Sequence, residues 1–230
     1  MARQVRSEAT RRKILDAAID VFNEVGYAAA DRGTIIERTG MTKGAFYHHF
    51  DSMESLASAI IDEGAKLVLD ALATMSDSFS PALENMVHGS FVAADLFTSD
   101  KVARTAEQLT LAFGKFDDTA SGVYTNWVEG MSAEVGRAIT EGDLREGLDP
   151  KMVSEAIIGA TFGTRILSQA APGGSDLIER LTQIWELLFP AIVTDTSLAY
   201  YREYLAREAL RHVKHDPSSW PALPGRIKVR

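Results

Sequence analysis

The sequence predicts an all-α chain, with a three-helix N-terminal head followed by a larger helical body. Apolar residues return every three or four positions along most of the 230 residues, the period of a helix with one buried face. No segment alternates apolar and polar residues as a half-buried strand would, and no internal repeat is present. The apolar fraction of 46% is mainly aliphatic residues and Ala, which suits helix packed on helix.

Ile14, Leu15, Ala18, Ile19, Phe22 and Val25 form one apolar face, and Gly26 is placed to end that helix. Asp31 or Gly33 is expected to cap a short second helix carrying Ile35 and Ile36, closed by Gly40. Thr42 is a natural N-cap for a third, over 43–49. Asp51 or Ser52 then opens a fourth, with Leu56, Ile60, Leu67 and Val68 inward. Pro81 suits the start of a fifth helix over about 81–97, and a sixth covers about 100–113. Residues 114–121 read as a loop before a seventh helix, about 122–141, ended by Gly142-Asp143. Asp149-Pro150 opens an eighth, about 150–170, and Ala171-Pro172-Gly173-Gly174 breaks the chain. Ser175 or Asp176 caps a ninth running to about Val193, which Pro190 is expected to kink or stop. A tenth covers about 196–214. These elements divide into a head, 1–51, a body, 52–214, and an irregular tail with three prolines, 215–230.

The absence of Cys excludes disulfides and Cys-based zinc sites and fits a reducing cytosol. The polar N-terminus lacks the apolar stretch of a signal peptide, and no apolar run approaches the ~20 residues of a membrane span. The expectation is a soluble, cytoplasmic protein with no membrane partner. Net charge is -8, but it is unevenly spread. Residues 1–51 carry eight Lys/Arg against seven acids, and the first thirteen hold Arg3, Arg6, Arg11, Arg12 and Lys13 against Glu8 alone. A basic arm ahead of an acidic body can approach phosphate.

The most informative stretch is Gly40-Met41-Thr42-Lys43-Gly44-Ala45-Phe46-Tyr47-His48-His49-Phe50. A helix-turn-helix needs a tight turn, a capped recognition helix and small residues near its start. Gly40 supplies the turn, and Thr42 can cap and also bond a phosphate. Lys43 can reach a guanine edge in the major groove, and Gly44 and Ala45 let the backbone approach the duplex. Tyr47 and His48 can donate to phosphates. Phe46 and Phe50 lie four apart and can pack on the first helix. His48-His49 is a poor metal pair, because adjacent helix positions do not face one site and no ligand partner is near in sequence. No nucleophile–base pair, metal set or phosphate loop suggests an enzyme.

The chain here resembles the TetR family of bacterial repressors. The resemblance rests on Arg11-Arg12-Lys13-Ile14-Leu15-Asp16-Ala17-Ala18, Phe22, Gly26-Tyr27, Ile35, Gly40 and Thr42 through Phe50, in order and spacing. Trp127, Gly142-Asp143-Leu144-Arg145-Glu146-Gly147-Leu148-Asp149 and Gly163-Thr164-Arg165 further resemble the γ-butyrolactone autoregulator receptors of actinomycetes, as does Met1-Ala2-Arg3-Gln4. The resemblance implies a homodimeric repressor on a palindromic double-stranded DNA operator, touching it through Arg3, Arg6, Arg11 and the recognition helix. It implies no cofactor, and release by a small effector: a γ-butyrolactone, a butenolide or a related furan. The family's pocket tryptophan falls on Trp127, and its dimer interface on the last two long helices. Trp185, Leu187, Leu188, Phe189, Ile192, Tyr200, Tyr201, Tyr204 and Leu205 are then expected at that interface, or else packed within one chain.

Further effector contacts are read from the residues. Thr161, Phe162 and Thr164 sit among Ala and Gly, where hydroxyls could meet a lactone carbonyl or where two helices could simply cross closely. Gln108 and Thr110 interrupt an apolar stretch, as effector contacts or as exposed residues. Met75, Met86, Phe91 and Met131 could line a cavity or fill core gaps. Three positions depart from the family pattern. Asp31 puts a negative charge near DNA, Arg32 stands where a core residue is expected, and Met53 replaces a usual Lys. They motivate a rival reading: a ligand-binding pseudo-receptor or interaction module of the same fold with weakened DNA affinity.

Overall fold

Ten α-helices and no strand make up the described residues of the computed structural model, which are 2–75, 80–113, 118–170 and 176–213. They are α1 Ala2–Val25, α2 Arg32–Thr39, α3 Lys43–Tyr47, α4 Met53–Met75, α5 Ala82–Ser99, α6 Lys101–Phe113, α7 Asp118–Glu141, α8 Pro150–Ala170, α9 Leu177–Ile192 and α10 Leu198–Val213. The all-α expectation holds. Two starts differ from the sequence reading. The basic arm is the exposed first part of α1, since no Gly or Pro interrupts residues 1–25 and good helix formers fill it. Residues 118–121 belong to α7 rather than to a loop. Residues 114–117, the break at 171–174, Ser175 and the tail 215–230 lie outside the described residues.

The helix boundaries follow local chemistry. Asp31, not Gly33, caps α2, accepting from Thr34 N at 3.0 Å, and a Cβ at Gly33 would meet that carboxylate at 2.7 Å. Gly40 ends α2 in the left-handed region, φ 63°. Ser52 and Ser55 cap α4 reciprocally, Ser55 N to Ser52 Oγ at 3.0 Å and Ser52 N to Ser55 Oγ at 3.3 Å. Asp100 and Asp149 cap α6 and α8 through pairs of backbone N–H groups. Asp176 sits at the start of α9 but does not cap it. Its carboxylate accepts instead from Ser168 Oγ at 2.7 Å and Arg180 Nε at 2.5 Å, and these bonds hold its pKa below the usual carboxylate range. Pro190 lies inside α9, which ends two residues later at Ile192. The missing N–H at Pro190 removes one bond of the final turn only.

The chain divides into two compact units. The first is Met1–Ser78 with Asp95–Ala133, the second Phe79–Ala94 with Glu134–Arg230. In the first, one core gathers Ile14, Leu15, Ala18, Ile19 and Phe22 of α1, Ile35 of α2, Phe46, Phe50, Leu56 and Ile60, Val102, Ala106 and Leu109 of α6, and Val123 of α7. It crosses residues 51 and 52 without a break. The close crossing of α4 and α6 depends on Gly64, because a Cβ there would fall 2.2 Å from the Ala106 Cβ.

In the second unit, Gly142 ends α7 with φ 82°, and Asp143 N returns to Ala138 O at 3.0 Å. Asp143 then ties the turn before α10, accepting from Ser197 Oγ at 2.8 Å and Tyr201 Oη at 2.6 Å. Arg145 N bonds Ile192 O at 2.9 Å, and Arg145 pairs with Asp195 at 2.8 Å. The Gly142–Asp149 motif is therefore a structural clamp on the α9–α10 turn. Burial, then the bond to Asp143, raises the Tyr201 pKa above its ordinary value. Trp185, Phe189, Ile192, Tyr201 and Leu205 are buried inside the chain, which corrects their expected place at a dimer face. Trp185 Nε1 donates to Ser90 Oγ at 2.8 Å. Leu187 is 73% and Leu210 59% exposed.

Candidate functional site

The recognition element is α3. Thr42 caps it, its hydroxyl accepting from Ala45 N at 3.3 Å. Phe46 is buried in the head core, and its ring lies 5.9 Å from Tyr47 and 6.3 Å from Phe50, centroid to centroid. That anchor fixes the opposite face outward, so Thr42, Lys43, Gly44, Tyr47 and His48 are all exposed and Ala45 is half-buried. The sequence-predicted DNA-facing residues of α3 are thus turned to solvent. Arg6 and Arg11 are exposed on α1, with the Arg11 guanidinium 5.4 Å from the centre of the Phe50 ring. Arg3 lies in α1, but its side chain is outside the described residues.

All three departures acquire a local role here. Asp31 spends its charge on the α2 N-terminus. Arg32 does not enter the core; its guanidinium stands 5.4 Å from the Tyr47 ring centre and donates to Tyr47 Oη at 2.8 Å. The tyrosine hydroxyl accepts that bond, which leaves its own proton available to an acceptor. Met53 opens α4 and packs against the head core, so packing stands where the family has a cation.

Ion pairs sort the basic residues. Arg12 is held by Asp16 at 2.6 Å and by Glu63, and Arg38 by Glu24. Among the described residues Arg6, Arg11, Lys13 and Lys43 make no ion pair, so they remain for an outside anion. Lys13 was counted in the basic arm but not among the expected DNA contacts; the Arg12–Asp16 spacing of four was the legible sign that Arg12 is taken. His49 is partly buried beside His48 and Arg11, and burial, then these two neighbours, lowers its pKa.

The candidate effector residues fall in both units. In the first, Trp127 on α7 is half-buried and packs on the shared core, 6.3 Å from the Phe97 ring and 6.1 Å from Tyr124. Glu107 on α6 is 3% exposed, and its charge, after burial, helps raise the Tyr124 pKa. Thr110 is buried on the same face of α6, while Gln108 points outward. Glu107, unnoticed in the sequence, shares the inward face of α6 with Thr110, and position 108 is turned ~100° away from it. Met131 is half-buried on α7. The Met75 side chain is outside the described residues.

In the second unit, Phe91 is fully buried and stacked on His212 at 5.3 Å, a core position, and Met86 is buried as well. Thr161 and Phe162 are half-buried and Thr164 is buried on α8. The Thr161 hydroxyl donates to Ile157 O at 2.9 Å and that of Thr164 to Ala160 O at 2.7 Å; Thr110 donates to Ala106 O at 2.8 Å. A lactone carbonyl needs a donor, and these protons are committed to helix carbonyls.

A capped recognition helix with outward cations, ahead of an all-helical body, is the frame of a helix-turn-helix transcription regulator. Residues 14–60 match the family model of bacterial regulatory proteins, tetR family, and residues 80–194 match the tetracyclin repressor-like C-terminal domain. The A-factor receptor protein of Streptomyces griseus is 32% identical over 203 residues, 88% of this chain and 70% of that protein. A crystal structure of a gamma-butyrolactone receptor, an ArpA-like protein, aligns with a TM-score of 0.71 at 26% identity, covering 90% of this chain and 99% of that one. CprB from Streptomyces coelicolor, a TetR family protein in complex with its biological operator sequence, aligns with a TM-score of 0.71 at 27% identity, covering 90% and 99%. The chain belongs to the TetR family of bacterial regulatory proteins. It is a DNA-binding transcription regulator similar to butyrolactone receptors, and these relatives are regulators, not enzymes. No helix of the described residues is long and apolar enough to cross a membrane.

Proposed function

We propose that the chain is a ligand-released repressor, which binds a palindromic operator as a homodimer and leaves it when a small lactone occupies the body. One observation carries this reading: the recognition-helix anchor Phe46 and the Trp127 cluster belong to one unbroken core within one compact unit. In this reading 1–51 is the DNA-binding head, 52–214 senses the effector and dimerises, and Lys43 reads a base edge while Arg3, Arg6, Arg11, Thr42, Tyr47 and His48 hold phosphates, with Gly44 and Ala45 allowing close approach. Trp127, Glu107, Thr110 and Met131 line the effector site. The names of the relatives favour a γ-butyrolactone over a butenolide or furan. Exposed Leu187 and Leu210 support a dimer face on α9 and α10.

Helix α6 is the connecting part. It carries Glu107 and Thr110, and it also grips α1 through Lys101–Asp20 at 2.6 Å, Arg104 Nε to Asn23 Oδ1 at 3.1 Å, and Asn23 to Thr105. Repacking around Trp127 therefore shifts a helix bonded to the head, biasing two arrangements of the dimer rather than deforming one continuously. The rival pseudo-receptor reading loses force because Asp31, Arg32 and Met53 each serve the head's own structure. Selection of genomic fragments by the full-length chain separates the two. The repressor reading expects a palindrome with half-sites about one helical turn apart, or a multiple of it; enrichment of no palindrome would establish the rival.

A further inference from the structure

The second unit contains a group of side chains that DNA binding and effector sensing leave unused. His88 on α5 and Glu208 and His212 on α10 bring one ligand atom each within 4.8 Å of one another. His88 Nδ1 lies 2.7 Å from Glu208 Oε2, and His212 Nε2 lies 3.8 Å from the same oxygen. Glu208 is fully buried, and the side chains of His88 and His212 are 30% and 12% exposed.

We infer that His88, Glu208 and His212 form a binding site for a divalent transition-metal ion, zinc by preference. Two imidazoles and a carboxylate are a recurrent zinc ligand set, and their nitrogen content selects against magnesium and calcium. Bonds of ~2.1 Å in a tetrahedron place ligand atoms ~3.4 Å apart. The observed 2.7 and 3.8 Å from Glu208 straddle that value, and all three ligand atoms lie within 4.8 Å of one another, so side-chain rotation would bring them onto one ion. The surroundings are those of a prepared site. Arg211 pairs with Glu208 Oε1, which fixes the carboxylate and leaves Oε2 turned to the histidines. Phe91 stacks on the His212 ring at 5.3 Å and 27°, which fixes its orientation. Glu208 and His212 are one turn apart on α10, so they share a face, and His88 arrives from a helix 120 positions away. Arg211 already neutralises the buried carboxylate, and two further imidazoles exceed what charge balance requires. A bound ion would tie the end of α10 to α5 and raise the stability of the folded chain by mass action.

The test uses the full-length chain stripped with a chelator and titrated with Co2+, then with Zn2+. The site predicts one Co2+ per chain with the strong visible bands of tetrahedral coordination, displaced by Zn2+, and a melting temperature that rises with Zn2+. His212→Ala and His88→Gln, the latter keeping a donor to Glu208, should each weaken binding at least about tenfold. A His48→Ala/His49→Ala/His215→Ala variant should bind as the parent does. Weak octahedral Co2+ binding in the parent overturns the proposal. So does binding that survives both ligand variants, or that is lost in the triple variant.

Discussion

The proposed function gives Lys43 and Arg11 different tasks at the duplex, and their substitutions should separate. Lys43 stands exposed on the recognition helix, so Lys43→Ala should cost about 1–3 kcal/mol on the operator and relax preference at one base position, with little change on random DNA. Arg11→Ala removes one phosphate partner from each protomer, two from the dimer, so it should weaken both duplexes alike and lower the salt slope by about 2. Competition titrations against operator and random DNA check both. Trp127→Leu keeps an apolar side chain on the shared core but removes the aromatic ring and its N–H. It should leave operator affinity near that of the parent and cut effector response at least about tenfold; an intact response would move the effector site elsewhere. The inward residues of the recognition helix were legible because Phe46 and Phe50 follow helical spacing. Arg32 was not, because its direction is set by Tyr47, fifteen residues on. Glu107 was hidden for another reason: a buried carboxylate looks like a surface residue until the inward face of α6 is known.

Among the elements, the α4–α6 crossing carries the clearest risk. A methyl group at Gly64 would collide with Ala106 at 2.2 Å and press on Val102 O at 3.2 Å. Helix propensity alone would favour Gly64→Ala by about 1 kcal/mol. Overpacking of that severity typically costs about 1–3 kcal/mol and should win. Calorimetry should show a lower Tm, by roughly 2–4 °C per kcal/mol for a chain of this size, and a raised Tm would mean the crossing can relax. Most helices could be read from apolar period and caps. The exceptions have physical causes. The start of α1 shows no apolar face, since its first turns are solvated. Trp185 and Phe189 looked like interface residues because periodicity marks a buried face without saying what buries it. The Gly142–Asp149 motif was visible as a string, but its use as a clamp depends on Ser197 and Tyr201, more than fifty residues later.

At the scale of the whole molecule, the proposed sensing and DNA-binding residues share one compact unit, with α6 bonded to α1 at one side and carrying the buried Glu107 at the other. This continuity is what a sequence cannot display, since it joins residues 14–61 to 102–123 across the intervening helices. It also makes the account easy to test. Fluorescence anisotropy should be measured on DNA from upstream of the chain's own gene, at two salt concentrations, with and without a γ-butyrolactone. If three arginines per protomer hold phosphates, log affinity should fall with log salt at a slope of roughly −5. The account predicts tight, salt-dependent binding that the lactone abolishes in the parent and not in Trp127→Leu. Affinity no greater than for a random duplex would contradict it.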